Sequence, residues 1–213
     1  MRAAIQAAAL VPHSHARRFN VQRFLVCYPF RDERIRLVEG FAAYDGVLGD
    51  LRGDPHKGID YVLPHGGRFR SFDVCSMHRG AAVQGRSRTW GRYVLVYAKV
   101  GGAYVRTVSA HLRTVAAAIP LTPKNPPAGW IEEHACLIPA GYPLGRAGAT
   151  GKTHRIIQLH LELHRREEDG AWEKLDPYGL NDRASSGRYP QPGEPLTRLP
   201  HLWQSDSPPF APP

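Results

Sequence analysis

The sequence is poor in cysteine and lacks long hydrophobic runs. Its cysteines are Cys27, Cys75 and Cys136, and no Cys-x-x-Cys pair occurs. This excludes a cysteine zinc knuckle and leaves room for one disulfide at most. Each cysteine stands beside an apolar residue, so we expect three small buried side chains. No stretch of 18 apolar residues is present, and we therefore predict no transmembrane segment.

A good signal peptide is also missing. The first eleven residues carry one positive charge and many alanines, but Gln6 interrupts them and no clear cleavage pattern follows. The length of 213 residues favours one domain with appendages. We expect a flexible or weakly helical leader over 1–20, the domain over 21–181, and a proline-rich tail over 182–213 that is draped on the domain or disordered. Within that tail, 199–203 is the part expected to dock.

Glycine and proline are abundant, at 21 and 19 residues, and they interrupt the chain too often for long helices. We therefore expect a mainly β fold. The formal net charge of +9 favours anionic partners. Basic residues are spread along the chain without an aromatic-interleaved motif, so a solvated basic surface is preferred and nucleic acid is not an expected partner. No feature of the sequence predicts an oligomeric state.

The clearest local signal is a β-hairpin. Apolar runs at 93–97 and 103–108 flank Gly101 and Gly102, which can supply the positive backbone angles of a tight turn. Trp90 and Tyr93, beside it, either line a groove or pack the hairpin, with packing preferred. The segment 114–139 contains four prolines, and we expect a long irregular excursion there.

The candidate chemistry lies in two separated segments. His56 and Asp60 are four residues apart, and His160 lies in an alternating run from Gln158 to Leu163. Two imidazoles and one carboxylate brought together by separate strands make a three-ligand site with an open fourth position, as in catalytic zinc sites. The competing interpretation is that these are scattered surface histidines, since the chain has 11.

Strand geometry divides the second segment into two faces. Side chains alternate along a strand, so His160 shares its face with Gln158, Glu162 and His164, while the three leucines between them face the other way. The leucines are expected in the core. A histidine and a glutamate side by side on a central strand are costly to bury without partners, so the polar face should meet solvent or a site.

Six short motifs, taken in order, resemble those of the lysostaphin-like or LytM-type zinc metallopeptidases. The resemblance covers about residues 25 to 180. The motifs are His56-Lys57-Gly58-Ile59-Asp60, Pro64-x-Gly66, Ser109-Ala110-His111-Leu112, Gly148-Ala149-Thr150-Gly151, Leu159-His160-Leu161-Glu162 and Leu175-Asp176-Pro177-Tyr178. Their common order is more specific than any one of them.

The resemblance implies a fold, a cofactor and a substrate. The fold is an antiparallel β-sheet groove, the duplicated hybrid motif, which is similar to a barrel-sandwich. Zn²⁺ would be held by His56, Asp60 and His160, and His111 would orient water or stabilise the transition state. The implied reaction is hydrolysis of a peptide bond of bacterial peptidoglycan by a zinc-activated water. The implied location is the cell envelope, periplasmic or extracellular.

One position departs from the family pattern. The residue two before His160 is Gln158, where the family has a histidine widely viewed as the general base, and an amide cannot accept a proton at neutral pH. His154 is the first candidate to replace it and Glu162 the second. If neither does, the chain is a zinc-binding relative with weakened or lost activity, acting as a cell-wall-binding or regulatory module.

Six further histidines have no matching role in the family. We expect His13 and His15 to be exposed. We expect four others to lie at the surface or beside the site; they are His65, His78, His134 and His164.

Overall fold

Short strands dominate the chain, as its glycine and proline content predicted. The computed structural model describes residues 22–41, 56–153, 155–179, 189–196 and 201–212. These residues contain β1 (Arg36–Glu39), β2 (Ile59–His65), β3 (Arg68–Arg70), β4 (Asp73–Cys75), β5 (Gly80–Ser87), β6 (Gly91–Val100), β7 (Ala103–Ala110), β8 (Thr114–Val115), α1 (Trp130–His134), β9 (Cys136–Ile138), β10 (Pro143–Arg146), β11 (Leu159–Arg166) and β12 (Trp172–Leu175). Within these residues no helix is both long enough and apolar enough to cross a bilayer.

Two antiparallel sheets organise these strands. The larger has nine strands in the order β1-β2-β11-β7-β6-β5-β9, with β12 also paired to β11 and β3 to β2. The smaller has the order β4-β10-β8. The prediction of a mainly β, antiparallel fold is confirmed. The proposed division into leader, domain and tail stays a prediction, and residues 1–20 lie outside the described part.

The predicted hairpin is formed by β6 and β7, which pair from Val94↔Ser109 to Val100↔Ala103. Gly101 and Gly102 join them with φ angles of 55° and 87°. Both angles lie in the left-handed region, where a residue with a Cβ is strained, so two glycines allow the turn.

β11 lies inside the large sheet and directs apolar side chains to one face and polar side chains to the other. Leu159, Leu161 and Leu163 are buried in the main hydrophobic core. His160 and Glu162 are also buried, but they project to the opposite face, as the alternation predicted. β11 pairs with β2 on one side and β7 on the other, so its polar face is flanked by both neighbours.

The chain's C-terminal part contributes to the core. Trp203 is fully buried between Tyr28 and Tyr178, and the carbonyl of Leu202 accepts hydrogen bonds from the backbone of Phe24 and Leu25. Docking of the 199–203 patch is therefore confirmed for its described residues, 201–203.

Two expectations need correction. Cys27 and Cys75 are buried, but Cys136 is only half-buried because it lies on the edge strand β9. The segment 114–139 is also more regular than expected. It contains β8, α1 and β9, and Trp130 and Ile131 of the helix pack on the large sheet.

Candidate metal centre and groove

The three predicted ligands meet at one point. His160 on β11 pairs directly with Asp60 on β2, and His56 comes just before β2. One ligand atom from each residue lies within 4.8 Å of the other two. Asp60 and His160 are buried and His56 is nearly so. The antiparallel register therefore brings together residues that are a hundred positions apart.

Hydrogen bonds on the outer side of each ring determine which nitrogen faces the centre. His56 Nδ1 lies 3.0 Å from the carbonyl oxygen of Gly40, and His160 Nε2 lies 3.0 Å from Glu162 Oε1. A carbonyl and a carboxylate only accept, so each of these ring nitrogens carries the proton. The inward nitrogens are His56 Nε2 and His160 Nδ1. His160 Nδ1 donates its proton to Asp60 Oδ1 at 2.8 Å, and both inward nitrogens would offer lone pairs to a cation that takes the place of that proton.

The spacing of the donor atoms fits a small cation. His56 Nε2 and His160 Nδ1 are 3.1 Å apart. Asp60 Oδ1 lies 2.8 Å from His160 Nδ1, and Asp60 Oδ2 lies 3.6 Å from His56 Nε2. Bonds of about 2.0–2.2 Å in tetrahedral geometry imply ligand separations of about 3.4 Å. Two inward imidazole nitrogens beside a buried carboxylate fit a divalent metal ion that takes the place of the proton between them and the carboxylate.

The charges of these groups are strongly coupled. Burial alone would lower the pKa of His160, but the Asp60 carboxylate outweighs it and raises that pKa to about 9. Burial would raise the pKa of Asp60, and the two histidines instead hold it well below its usual range. The site therefore places a protonated His160 against the ionised Asp60 carboxylate. A metal cation can take the place of the His160 proton.

Gln158 lies at this centre but is not a proton acceptor. Its Nε2 donates to Asp60 Oδ2 at 3.1 Å, which orients the third ligand. Its Oε1 is buried and has no hydrogen-bond partner among the described residues. An acceptor buried without a partner is costly, so this oxygen is available for a donor in the cleft.

His111 lies on the neighbouring side of the centre, at the end of β7. Its ring centroid is 5.5 Å from that of His160, and its φ of 63° turns it out of the strand direction. Nδ1 lies 2.8 Å from the carbonyl oxygen of Thr150, so Nδ1 holds the proton and Nε2 the lone pair. Burial, together with the positive charge of His160, lowers the pKa of His111 to about 4. The ring is thus neutral at pH 7.

Glu162 is the hub of a network that the sequence only partly revealed. Besides His160, its carboxylate accepts from Trp90 Nε1 at 3.2 Å, from His164 Nε2 at 2.6 Å and from Lys174 Nζ at 2.6 Å. These donors hold the pKa of Glu162 far below its usual range despite burial. Glu162 thus holds the outer nitrogen of His160. Strand alternation placed His164 on this face, whereas Lys174 comes from β12 and gave no signal.

The same face of the sheet, which the resemblance implies as the groove, carries a second apolar cluster beside the centre. Val83, Leu95, Val108 and Ala110 are its buried members. Half-buried rings pack against them, namely Trp90, Tyr93, Tyr97 and Trp130. Trp90 and Tyr93 are in edge contact, with centroids 5.1 Å apart, so they pack the hairpin, as was preferred. Trp130 of α1 packs on the cluster from the 114–139 segment.

Other predicted candidates lie elsewhere. His154 falls outside the described residues. His65 is exposed on β2 and His134 is exposed on α1, while His78 is buried and bonded to Thr107 Oγ1 at 3.1 Å. Among the other histidines in the part of the chain that the structure describes, His164 lies beside the centre.

Comparisons with known proteins bear on the fold. A scan against family models gives no match, and a search of curated proteins gives none either. The solved structures that are similar include lysostaphin by NMR, at 18% identity over 71% of this chain and 51% of that one with a TM-score of 0.48. LytU matches at 18% identity over 70% and 84% with a TM-score of 0.47.

A third solved structure is the antimicrobial peptidase lysostaphin from Staphylococcus simulans. It has 16% identity over 79% of this chain and a TM-score of 0.50. The chain spans 61% of that lysostaphin, so the two are comparable over part of its length. The strand arrangement and this similarity agree with the motif resemblance, and the chain has the fold of a lysostaphin-like protein.

Proposed function

We propose that the protein is a zinc-dependent endopeptidase that acts on the peptides of bacterial peptidoglycan in the cell envelope. The observation that carries this is the pair of inward imidazole nitrogens, 3.1 Å apart beside the buried Asp60. His56, Asp60 and His160 would hold the ion. When bound, zinc would polarise the scissile carbonyl and lower the pKa of water enough for attack at neutral pH.

The chain's own residues would divide the remaining work. The orphan Oε1 of Gln158 can accept a hydrogen bond from water and orient it above the ligands. His111 Nε2 carries a free lone pair and can take up the proton that water loses. Glu162 holds His160 in the tautomer that presents Nδ1. The three candidate ligands, the Gln158 amide and the His111 imidazole thus have separate roles.

The groove supports an extended peptide as substrate. The half-buried rings on the sheet face beside the centre could contact an extended chain, since aromatic rings provide contact area at little conformational cost. The lysostaphin similarity shows the fold alone, so the substrate class depends on the motif resemblance together with this surface.

The experiment measures zinc in the purified protein. We expect about one equivalent per chain, with loss of the metal in His160→Ala and retention in His65→Ala, an exposed histidine outside the cluster. Zinc removal should abolish dye release from labelled peptidoglycan, and zinc addition should restore it. Equal metal content in the two variants would contradict the ligand assignment.

A second candidate function is a zinc-binding relative that binds the wall without cutting it. The observation in its favour is Gln158, which donates to Asp60 and has no proton-accepting atom. This candidate predicts zinc binding and sedimentation with peptidoglycan, but the same background dye release from wild type and His111→Ala.

A further inference from the structure

A cavity lies on the other face of β2 from the candidate metal centre. The cavity, of about 560 Å³, opens between β2, β3 and the smaller sheet. Leu63 of β2 is in its lining, three residues along the strand from Asp60, so the two side chains project to opposite faces. The cavity is therefore separate from the groove.

The cavity has an apolar floor and a cationic rim. Leu63, Phe69, Phe72 and Ile157 supply apolar surface. The rim carries five arginines and two aspartates; the arginines are Arg31, Arg34, Arg70, Arg113 and Arg146. The lining therefore carries a net positive charge of three.

Two of the five arginines are neutralised and three are not. Arg34 binds Asp32 with two hydrogen bonds of 2.8 and 2.6 Å, and Arg146 lies 3.3 Å from Asp73. Among the described residues, Arg70 and Arg113 have no carboxylate partner. Arg31 donates only to the backbone carbonyl of Pro212. The rim thus keeps three uncompensated positive charges.

This charge matches a phosphate group better than a carboxylate. A phosphate monoester carries about −1.5 to −2 at pH 7 and offers three acceptor oxygens, whereas a carboxylate carries one charge. Guanidinium groups bind both in a bidentate manner, and several around one cavity can share a tetrahedral anion. The apolar floor can accommodate a carbon-bearing part of the same ligand.

We propose that this cavity is a phosphate-binding site that holds a phosphate group, free or carried on a larger molecule. Arg70 and Arg113 are its principal ligands. Binding there is independent of the zinc chemistry in the groove, because the two sites lie on opposite faces of β2.

Isothermal titration calorimetry in a phosphate-free buffer at constant ionic strength tests the proposal. Inorganic phosphate should bind the full-length protein, and acetate should bind at least about tenfold more weakly. Dimethyl phosphate separates the sources. Binding as tight as that of inorganic phosphate points to a bridging phosphodiester, whereas much weaker binding points to a terminal or free phosphate.

Matched variants locate the site. Arg70→Gln with Arg113→Gln should weaken phosphate binding by about a hundredfold, at about tenfold for each guanidinium removed. Arg86→Gln with Arg88→Gln removes the same charge from exposed positions outside the cavity and should leave binding within about twofold. Melting temperatures without phosphate show whether each variant is folded.

Three results would overturn the proposal. Equal weakening in both double variants would mean that only overall charge attracts the anion. Phosphate binding that is lost in His160→Ala and retained in Arg70→Gln with Arg113→Gln would place the anion at the metal centre. Absence of phosphate binding to the wild-type protein would leave the cavity without the proposed role.

Discussion

Gln158 is the position at which this site departs most from the motif pattern that the chain resembles, and Gln158→His is the most informative change. The side chain is buried, projects to the same face as His160, and its amide lies 3.1 Å from Asp60. An imidazole placed there would be within reach of the metal centre and could accept a proton. General acid–base catalysis contributes about 10²- to 10⁴-fold.

The substitution also has a cost. It removes the hydrogen bond from the amide to the ionised Asp60, which is worth about 1.5–3 kcal/mol because the acceptor is charged. The substitution also removes Oε1, an acceptor that is buried without a partner, and this offsets part of the loss. If Gln158 limits the proton transfer, we expect dye release from peptidoglycan to rise by about a hundredfold or more, with a slightly lower melting temperature.

Gln158→Ala is the matched control, since it removes the amide without supplying a base and should give no gain. Zinc content must be equal in all three proteins. If Gln158→His is no faster than wild type while its zinc is retained, our reasoning about this position is wrong. His111, the proton acceptor proposed above, would then suffice without a second imidazole at position 158.

Four further predictions follow from the contacts. Glu162→Gln keeps the shape but removes the charge that orients His160, so zinc affinity measured by competition with a chelator should fall about 10- to 100-fold; unchanged affinity would exclude this role. Gly58→Ala would place a Cβ 2.6 Å from the carbonyl oxygen of Leu161 and 2.7 Å from the His160 ring, so it should lower both the melting temperature and the zinc content. Trp203→Ala removes a fully buried ring and should cost about 3–5 kcal/mol in chemical denaturation, a value that a loosely attached tail would not reach. The pKa of His160 is raised above its ordinary 6.5 to about 9, so protonation of His160 should stabilise the metal-free protein fully below pH 6.5 and lose this effect as the pH rises to 9. The zinc-loaded protein should not show this loss of stability. Parallel profiles of stability against pH for the two forms would contradict the prediction.

The strand pattern and the clustering of His56, Asp60 and His160 could be predicted from the sequence, because strand alternation and the motifs have local signatures. Alternation along β11 placed His160 and Glu162 on one face, and the two glycines located the β6–β7 turn. The regular part of the 114–139 segment was missed, because α1 is only five residues long and is stabilised by packing of Trp130 on the sheet. The burial of Cys136 was misjudged for a similar reason, since nothing local shows that β9 is an edge strand.

The order of side chains along each strand determined which residues could share a face, and the motif order indicated which of them could bind a metal. Only the tertiary structure decided that Asp60 pairs with His160 and that Gly40 and Glu162 select the ring tautomers. It alone also gathered the arginines around a cavity behind the centre. These features depend on the register between strands that are distant in sequence, and register is set by the packing of the whole sheet and by no short stretch of chain.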